Sequence, residues 1–352
     1  MGMLKPVFKL RLGSFLSETD NAAGGPGALR IERDMDVAAD AAEVRLMERP
    51  EVAVGDAVEI ELGHDGTTER VFTGELVELV PTLSGARLRA LGAMNKLLNH
   101  RQSATYADQS AGSIVNDLAG AAGLDAGEVS NGPELPAFAV DRRRSAWAHV
   151  KSLADRLGYE LYCDREGRLH FRAHGAAAEL DSTGGLGALA GAAASALGVG
   201  GGGEGYAFGK HLIRLEAARR TPALASVTVG GESPSSTQGD ATAHWLSRND
   251  ADFRGTAGSG GPESLHADGA ARTKDLADRF AAGLLSRANR RAHEITFRIL
   301  GRPSLDLGQE LQVSDVPDAL GNGSGYVRAL RHRFDVEAGF ITEVRLALEV
   351  KP

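Results

Sequence analysis

The chain has one cysteine, Cys163, in 352 residues. A single thiol excludes an intrachain disulfide and any zinc site built from several thiolates. Aromatic residues make up only 5% of the sequence, with two Trp and five Tyr. That is too few for a large aromatic-lined ligand pocket. It also disfavours a secreted carbohydrate-binding β protein, which would display Trp and Tyr on its surface. No apolar run reaches the ~18 residues of a membrane-crossing helix, and the opening Met1 to Lys9 holds no stretch of signal-peptide length. Basic charge is the minority sign: 39 Lys and Arg against 47 Asp and Glu leave a net −8. The deficit is spread along the chain, with −5 over 1–100, −1 over 101–175 and −2 over 176–352. No segment supplies the basic field of a general nucleic-acid binder. A soluble, reduced protein, cytoplasmic at synthesis, is the expectation.

What is abundant is glycine, 45 residues, and short alternating runs. Phe8, Leu10 and Leu12 alternate with Lys9 and Arg11, the period of two of a strand with one wet face. The pattern repeats at Leu29 and Ile31, at Val44 and Leu46, and at Val58, Ile60 and Leu62. Gly63-His64-Asp65-Gly66 then turns the chain back through Val71 and Thr73, and Leu88 and Ala90 follow. Residues 1–100 therefore read as an antiparallel barrel or sandwich. The period changes in 101–175. Ser110 caps a predicted helix through Ile114, Val115 and Leu118, stopped by Gly123. A second helix starts at Ser145 and stops at Gly158. Its apolar face is expected to bury Trp147 as the anchor against a hairpin of Tyr159, Leu161 and Cys163 with Leu169 and Phe171. Residues 176–205 are nearly all Ala and Gly and read as a linker or loop. Strand signals resume in 206–352, with one helix near 269–292 and closing strands at Glu294–Ile299, Glu310–Val313, Tyr326–His332 and Ile341–Leu348. No fixed-period repeat is present, although the β segments flanking the insertion look alike in kind.

Catalytic and ligand motifs fail on inspection. No serine has glycines at −2 and +2, so the nucleophile elbow is absent. Gly209-Lys210 ends like a phosphate loop, but Glu204 stands where the first glycine belongs and His211 follows the lysine. Gly185, Gly187 and Ala190 match a dinucleotide fingerprint formally, without the strand that must precede it. His170 and His174 sit on a predicted strand, ~13 Å apart at ~3.3 Å per residue, too far for one zinc ion. No catalytic residue, metal ligand or cofactor site is assigned. Arg142, Arg143 and Arg144 form the one basic run. They are a candidate interface for an acidic or phosphorylated partner, against the plainer reading of a solvated helix entrance.

The order of parts is more distinctive than any motif. Tyr106 to Leu118 (YADQSAGSIVNDL) with Gly123-Leu124 resembles the phage late-control D family and its relatives. These are the central hub proteins of contractile-tail baseplates and the hub-like N-terminal part of type VI secretion spike proteins. Ser145-Ala146-Trp147, Val150, Leu153 to Tyr162 and Gly167 to Phe171 fit as well. So do Val71 to Glu75, Leu307 to Leu311 and Val327 to His332.

The resemblance implies a β-rich α+β fold with two tube-like antiparallel β-barrel domains, 1–100 and 206–352, flanking an α+β insertion at 101–175. It implies a homotrimer whose pseudo-sixfold ring joins a hexameric inner tube protein to a trimeric spike, with baseplate wedge components around it. Because no needle follows within Pro352, the spike is expected to be a separate protein. The ring would enter an assembled contractile particle, a virion or an injection system. A hub carrying cell-wall-degrading activity is the alternative. It would need paired carboxylates flanking a sugar cleft, and 101–175 is short for one. The acid excess of the two β segments, about −21 over three chains, predicts an acidic channel wall that passes anionic cargo without sticking.

Overall fold

The computed structural model describes residues 4–19, 26–174, 204–231, 253–335 and 339–348. The first segment holds β1 (Pro6–Leu12), β2 (Phe15–Glu18), β3 (Pro26–Asp34), β4 (Ala41–Leu46), β5 (Ala57–His64), β6 (Thr67–Thr82) and β7 (Gly85–Gly92), all but β2 at the expected alternating runs. Their inward residues, among them Leu10, Ile31, Val58, Ile60 and Phe72, are buried in one core. The expected hairpin joins β5 to β6, with Asp65 and Gly66 at positive φ.

The insertion holds α1 (Asn95–Asn99), β8 (Ala104–Ser110), α2 (Ala111–Ala121), β9 (Ala126–Val129), β10 (Glu134–Val140), α3 (Ala146–Leu157), β11 (Glu160–Cys163) and β12 (Leu169–Arg172). Both expected caps form. The Ser110 hydroxyl accepts from the Ser113 amide and the Ser145 hydroxyl from the Ala148 amide, while Gly158 ends α3 in the left-handed conformation. Three strands, β8 to β10, escape sequence periodicity.

The linker expected at 176–205 lies outside the described residues except for its last two, which open β13 (Glu204–Ala207). There follow β14 (Arg214–Arg219), β15 (Ser226–Gly231), β16 (Arg254–Gly258), β17 (Glu263–Asp268), α4 (Lys274–Asn289), β18 (His293–Leu300), β19 (Glu310–Ser314), β20 (Gly323–Asp335) and β21 (Gly339–Leu348).

The fold is mostly antiparallel β with a minority of helix, the expected β-rich α+β class. Its strands run as one sheet through both β segments, in the order β14-β18-β21-β20-β3-β4-β7-β6-β5-β1-β2, with β19 and β13 attached at β20. The join is the antiparallel pair β20–β3, from Ala329 opposite Asp34 to Asp335 opposite Ala28. Cores cross the segments too. Phe334 and Phe340 enter the core of the first segment. Val227, Val229, Leu276 and Phe280 pack with the insertion, in the core that holds Leu153 and Phe171. A helix and a three-stranded sheet from the second β segment thus serve the insertion.

A duplicated sheet and its charged junction

Strand order and direction show that the sheet is built twice. The first unit places β3, β4, β7 and β6 side by side, and the second places β14, β18, β21 and β20 in the same sequence. In both, the third and fourth chain members form the hairpin, and the preceding strand (β5 or β19) pairs with the start of the fourth neighbour (β6 or β20). The correspondence reaches single residues. The β6–β7 ladder skips a residue between Leu76 and Glu78, and the β20–β21 ladder skips one between Val327 and Ala329. Three residues before each bulge stand Gly74 and Gly325, where a β-carbon would lie 2.2 Å from the carbonyl oxygen of Leu91 or of Ala347.

The turns entering β5 and β19 also match. Gly55 (φ +99°) donates to the Leu76 carbonyl at 2.8 Å, and Gly308 (φ +78°) donates to the Val327 carbonyl at 2.8 Å. The Leu76 amide returns a bond to Asp56 and the Val327 amide one to Gln309, both at 2.9 Å. The side chains of Asp56 and Gln309 each accept from the amide three residues earlier. Left-handed φ at both positions requires glycine for the same mechanical reason.

The bulge residue of the second unit is put to a separate use. A bulge re-aims its side chain, and Arg328 is driven fully inside, 0% exposed. Its guanidinium meets Glu160 of β11 and, at 2.6 Å, Asp36 of the β3–β4 turn. The Tyr326 hydroxyl donates to Glu160 at 3.0 Å. Arg290, just past α4, pairs with both acids at 3.1 Å, and Arg345 of β21 reaches Asp34 at 2.7 Å and Asp36 at 3.1 Å. Burial alone would raise the Glu160 carboxyl. The facing charges of Arg328, Arg290 and Lys151 outweigh it and hold the group below its ordinary value. A neighbouring cluster is centred on Arg33, which contacts Asp306 at 2.7 Å and Asp40 at 3.1 Å and donates to the Cys163 carbonyl at 2.8 Å. Burial lifts Asp40 to about 6, against the pull of Arg33 and with the help of the Asp306 charge. Together the clusters tie the first segment, the insertion, α4 and the second segment at one end of the sheet. Nothing in the sequence order announced them, since their members are up to 311 residues apart.

The residues singled out from sequence lie elsewhere. Arg142, Arg143 and Arg144 are exposed at the entrance of α3. Arg143 is taken by Asp141, and the Arg144 guanidinium donates to the Ala148 carbonyl at 3.0 Å. Trp147 is half-buried, packed at the margin of the insertion core. The buried stripe of α3 is Ala146, His149, Val150, Leu153, Ala154 and Leu157, which leaves Trp147 on its flank. The His170 imidazole stacks on Tyr162 and lies 3.1 Å from the Asp164 carboxylate. Burial raises the Cys163 thiol far above its usual range. Among the described residues no group of three or more His, Cys, Asp or Glu is placed to hold a metal ion.

The outward face of the sheet carries alternating charges. Arg298, Glu343, Arg331 and Glu32 follow one another across β18, β21, β20 and β3, linked at 3.0, 3.0 and 2.6 Å. Arg30, Arg45, Arg87 and Arg89 continue on β3, β4 and β7. This face is mixed rather than acidic.

No family model matches the chain, and no curated protein matches it by sequence. Solved structures do match its fold. The 43 kDa tail protein of prophage MuSo2 from Shewanella oneidensis superposes with a TM-score of 0.68 at 11% identity, covering 97% of this chain and 98% of its own. A tail protein from Neisseria meningitidis MC58 gives 0.68 at 13% identity, over 98% and 97%. An Escherichia coli component of the type VI secretion system, described as structurally similar to the T4 bacteriophage tail proteins gp27 and gp5, gives 0.57 at 11%, over 97% and 77%. The chain has the fold of these proteins.

Proposed function

We propose that the chain is a structural, non-enzymatic hub of a contractile tail or injection machine. In this reading three copies close into a ring that presents six equivalent sheet units, joining a hexameric inner tube to a separate trimeric spike. The observation that carries the reading is the duplicated unit. A protein that repeats one four-stranded unit side by side in a continuous sheet supplies two sixths of a sixfold wall, so three chains suffice. The fold shared with phage tail proteins and a type VI secretion component supports it.

The two ends of the sheet suit different neighbours. The insertion holds one end through Arg33 and Arg328. At the other end Met47, the residue after β4, and Leu300, the last residue of β18, occupy equivalent positions, and each is 59% exposed. We assign that rim to the tube and the insertion end to the spike and wedge components. The outward face of the sheet lines the channel in this arrangement, and its mixed charge replaces the acidic wall expected from composition. The exposed Arg142 to Arg144 run is a contact for an acidic partner. The units 1–100, 101–175 and 206–352 act as two tube-like domains around a docking insertion.

The test is copy number. A cryo-EM map of the assembled particle is expected to show three copies of this chain around the axis, each spanning two sixths of the wall. Six copies would exclude the reading.

A further inference from the structure

Among the described residues, apart from the appended strands β2 and β13, two outer edges of the paired four-stranded units have one strand neighbour only. They are β14, whose single partner is β18, and the part of β6 beyond Leu76, which β5 no longer covers. Pro81 lies on that stretch of β6 and offers a carbonyl but no N–H to a strand added there. Duplication specifies what each edge fits. Within the chain, β20 uses the equivalent of the open β6 edge to bind β3, which is itself the equivalent of β14.

We infer that β6 of one copy binds β14 of a second copy, in the register that the internal β20–β3 seam dictates. This rests on the ring reading above and names its contact surface. The bulges equate Ala329 with Glu78 and Arg331 with Val80. The ladders onto β18 and β4 equate Glu32 with Ala218 and Asp34 with Arg220. Since Arg331 faces Glu32 and Ala329 faces Asp34, Val80 faces Ala218 and Glu78 faces Arg220 across the seam between copies. Opposite charges thus meet at one position, and two half-buried small apolar side chains at the other. The contact is head-to-tail, so each copy offers one edge of each kind, and a closed ring leaves neither exposed.

The experiment uses the full chain with paired substitutions Val80→Cys and Ala218→Cys, the native Cys163 being buried. Directly opposite residues of an antiparallel pair fall within disulfide reach. Mild oxidation is expected to link copies into species of two and three chain masses on a non-reducing gel. Mixing the two single variants is expected to give mixed dimers. Glu78→Cys with Arg220→Cys repeats the test at a second position, should either residue of the first pair disturb folding as read by circular dichroism. Val80→Cys with Glu216→Cys, two residues out of register, is expected to link poorly. A trimer by light scattering that links at neither in-register pair would overturn the seam while sparing the ring. A monomer at every concentration that links at neither pair would overturn the seam, while the ring stands or falls with the copy number in the particle.

Discussion

Arg328 meets no water and touches two carboxylates from parts of the chain that folding alone brings together. An ion pair this deep recovers little net energy beyond its desolvation cost. Its value here is directional: Glu160 and Asp36 satisfy Arg328 only when the insertion, the β3–β4 turn and β20 meet in one arrangement. Removing one partner strands the others. Arg328→Met is expected to lose roughly 3–5 kcal/mol at neutral pH, measured by chemical denaturation. The pH dependence follows from sign. Glu160 and Asp36 titrate below their ordinary values of 4.5 and 3.8, because the nearby arginines overcome burial. Their contribution is present above those values and fades as pH falls through the lower folded ones. The gap between native and Arg328→Met stability is therefore expected to narrow on acidification below 4.5. A gap that stayed constant would show that packing, not charge, holds the junction.

Elements of the two units obey the same local rules with different side chains. The bulge keeps its place whether it carries Val77 or Arg328, because the backbone departure from the ladder is set by the preceding glycine and the turn that bonds beside it. Gly74→Ala and Gly325→Ala each push a methyl into a carbonyl oxygen of the neighbouring strand. Both are expected to destabilise by roughly 1–3 kcal/mol, the usual range for forced overpacking. Thermal unfolding of the two variants checks this, and a loss at one position alone would break the equivalence. The α3 helix shows how an element can be read correctly and its most prominent side chain misjudged. Ser145 and Gly158 delimit it, but the stripe is narrow enough that one step of 100° moves Trp147 from the core to its margin.

At the scale of the whole molecule, clusters of charge hold the insertion end of the sheet, and the opposite end carries two equivalent exposed apolar side chains. Met47 and Leu300 are exposed at equivalent points of that end. Met47→Lys and Leu300→Lys are expected to leave stability within about 0.5 kcal/mol. In the reading proposed here they block attachment of the tube, giving particles or partial assemblies in which hub and spike are present without it. Negative-stain microscopy of the double variant distinguishes that outcome from normal assembly, which would move the tube contact elsewhere.

Local chemistry written in the sequence was sufficient for the strands of the first segment apart from β2, the two capped helices and the β11–β12 hairpin. Alternation, caps and turn glycines act over a few residues, so they survive reading one chain without its fold. The order of parts also carried the resemblance to tail hubs. Tertiary structure decided the rest, because it depends on which distant segments meet. The duplication has no constant period: β15 to β17 and α4 interrupt the second unit between its first two strands, and the insertion separates the units. Only pairing and direction expose it, although Val54-Gly55-Asp56-Ala57-Val58 and Leu307-Gly308-Gln309-Glu310-Leu311 share the apolar-Gly-polar signal that could have hinted at it. Arg33, Glu160 and Arg328 read as ordinary surface charges until a turn, a bulge and a docked hairpin enclose them. Burial, the property that makes a charge consequential, belongs to the fold and not to the residue.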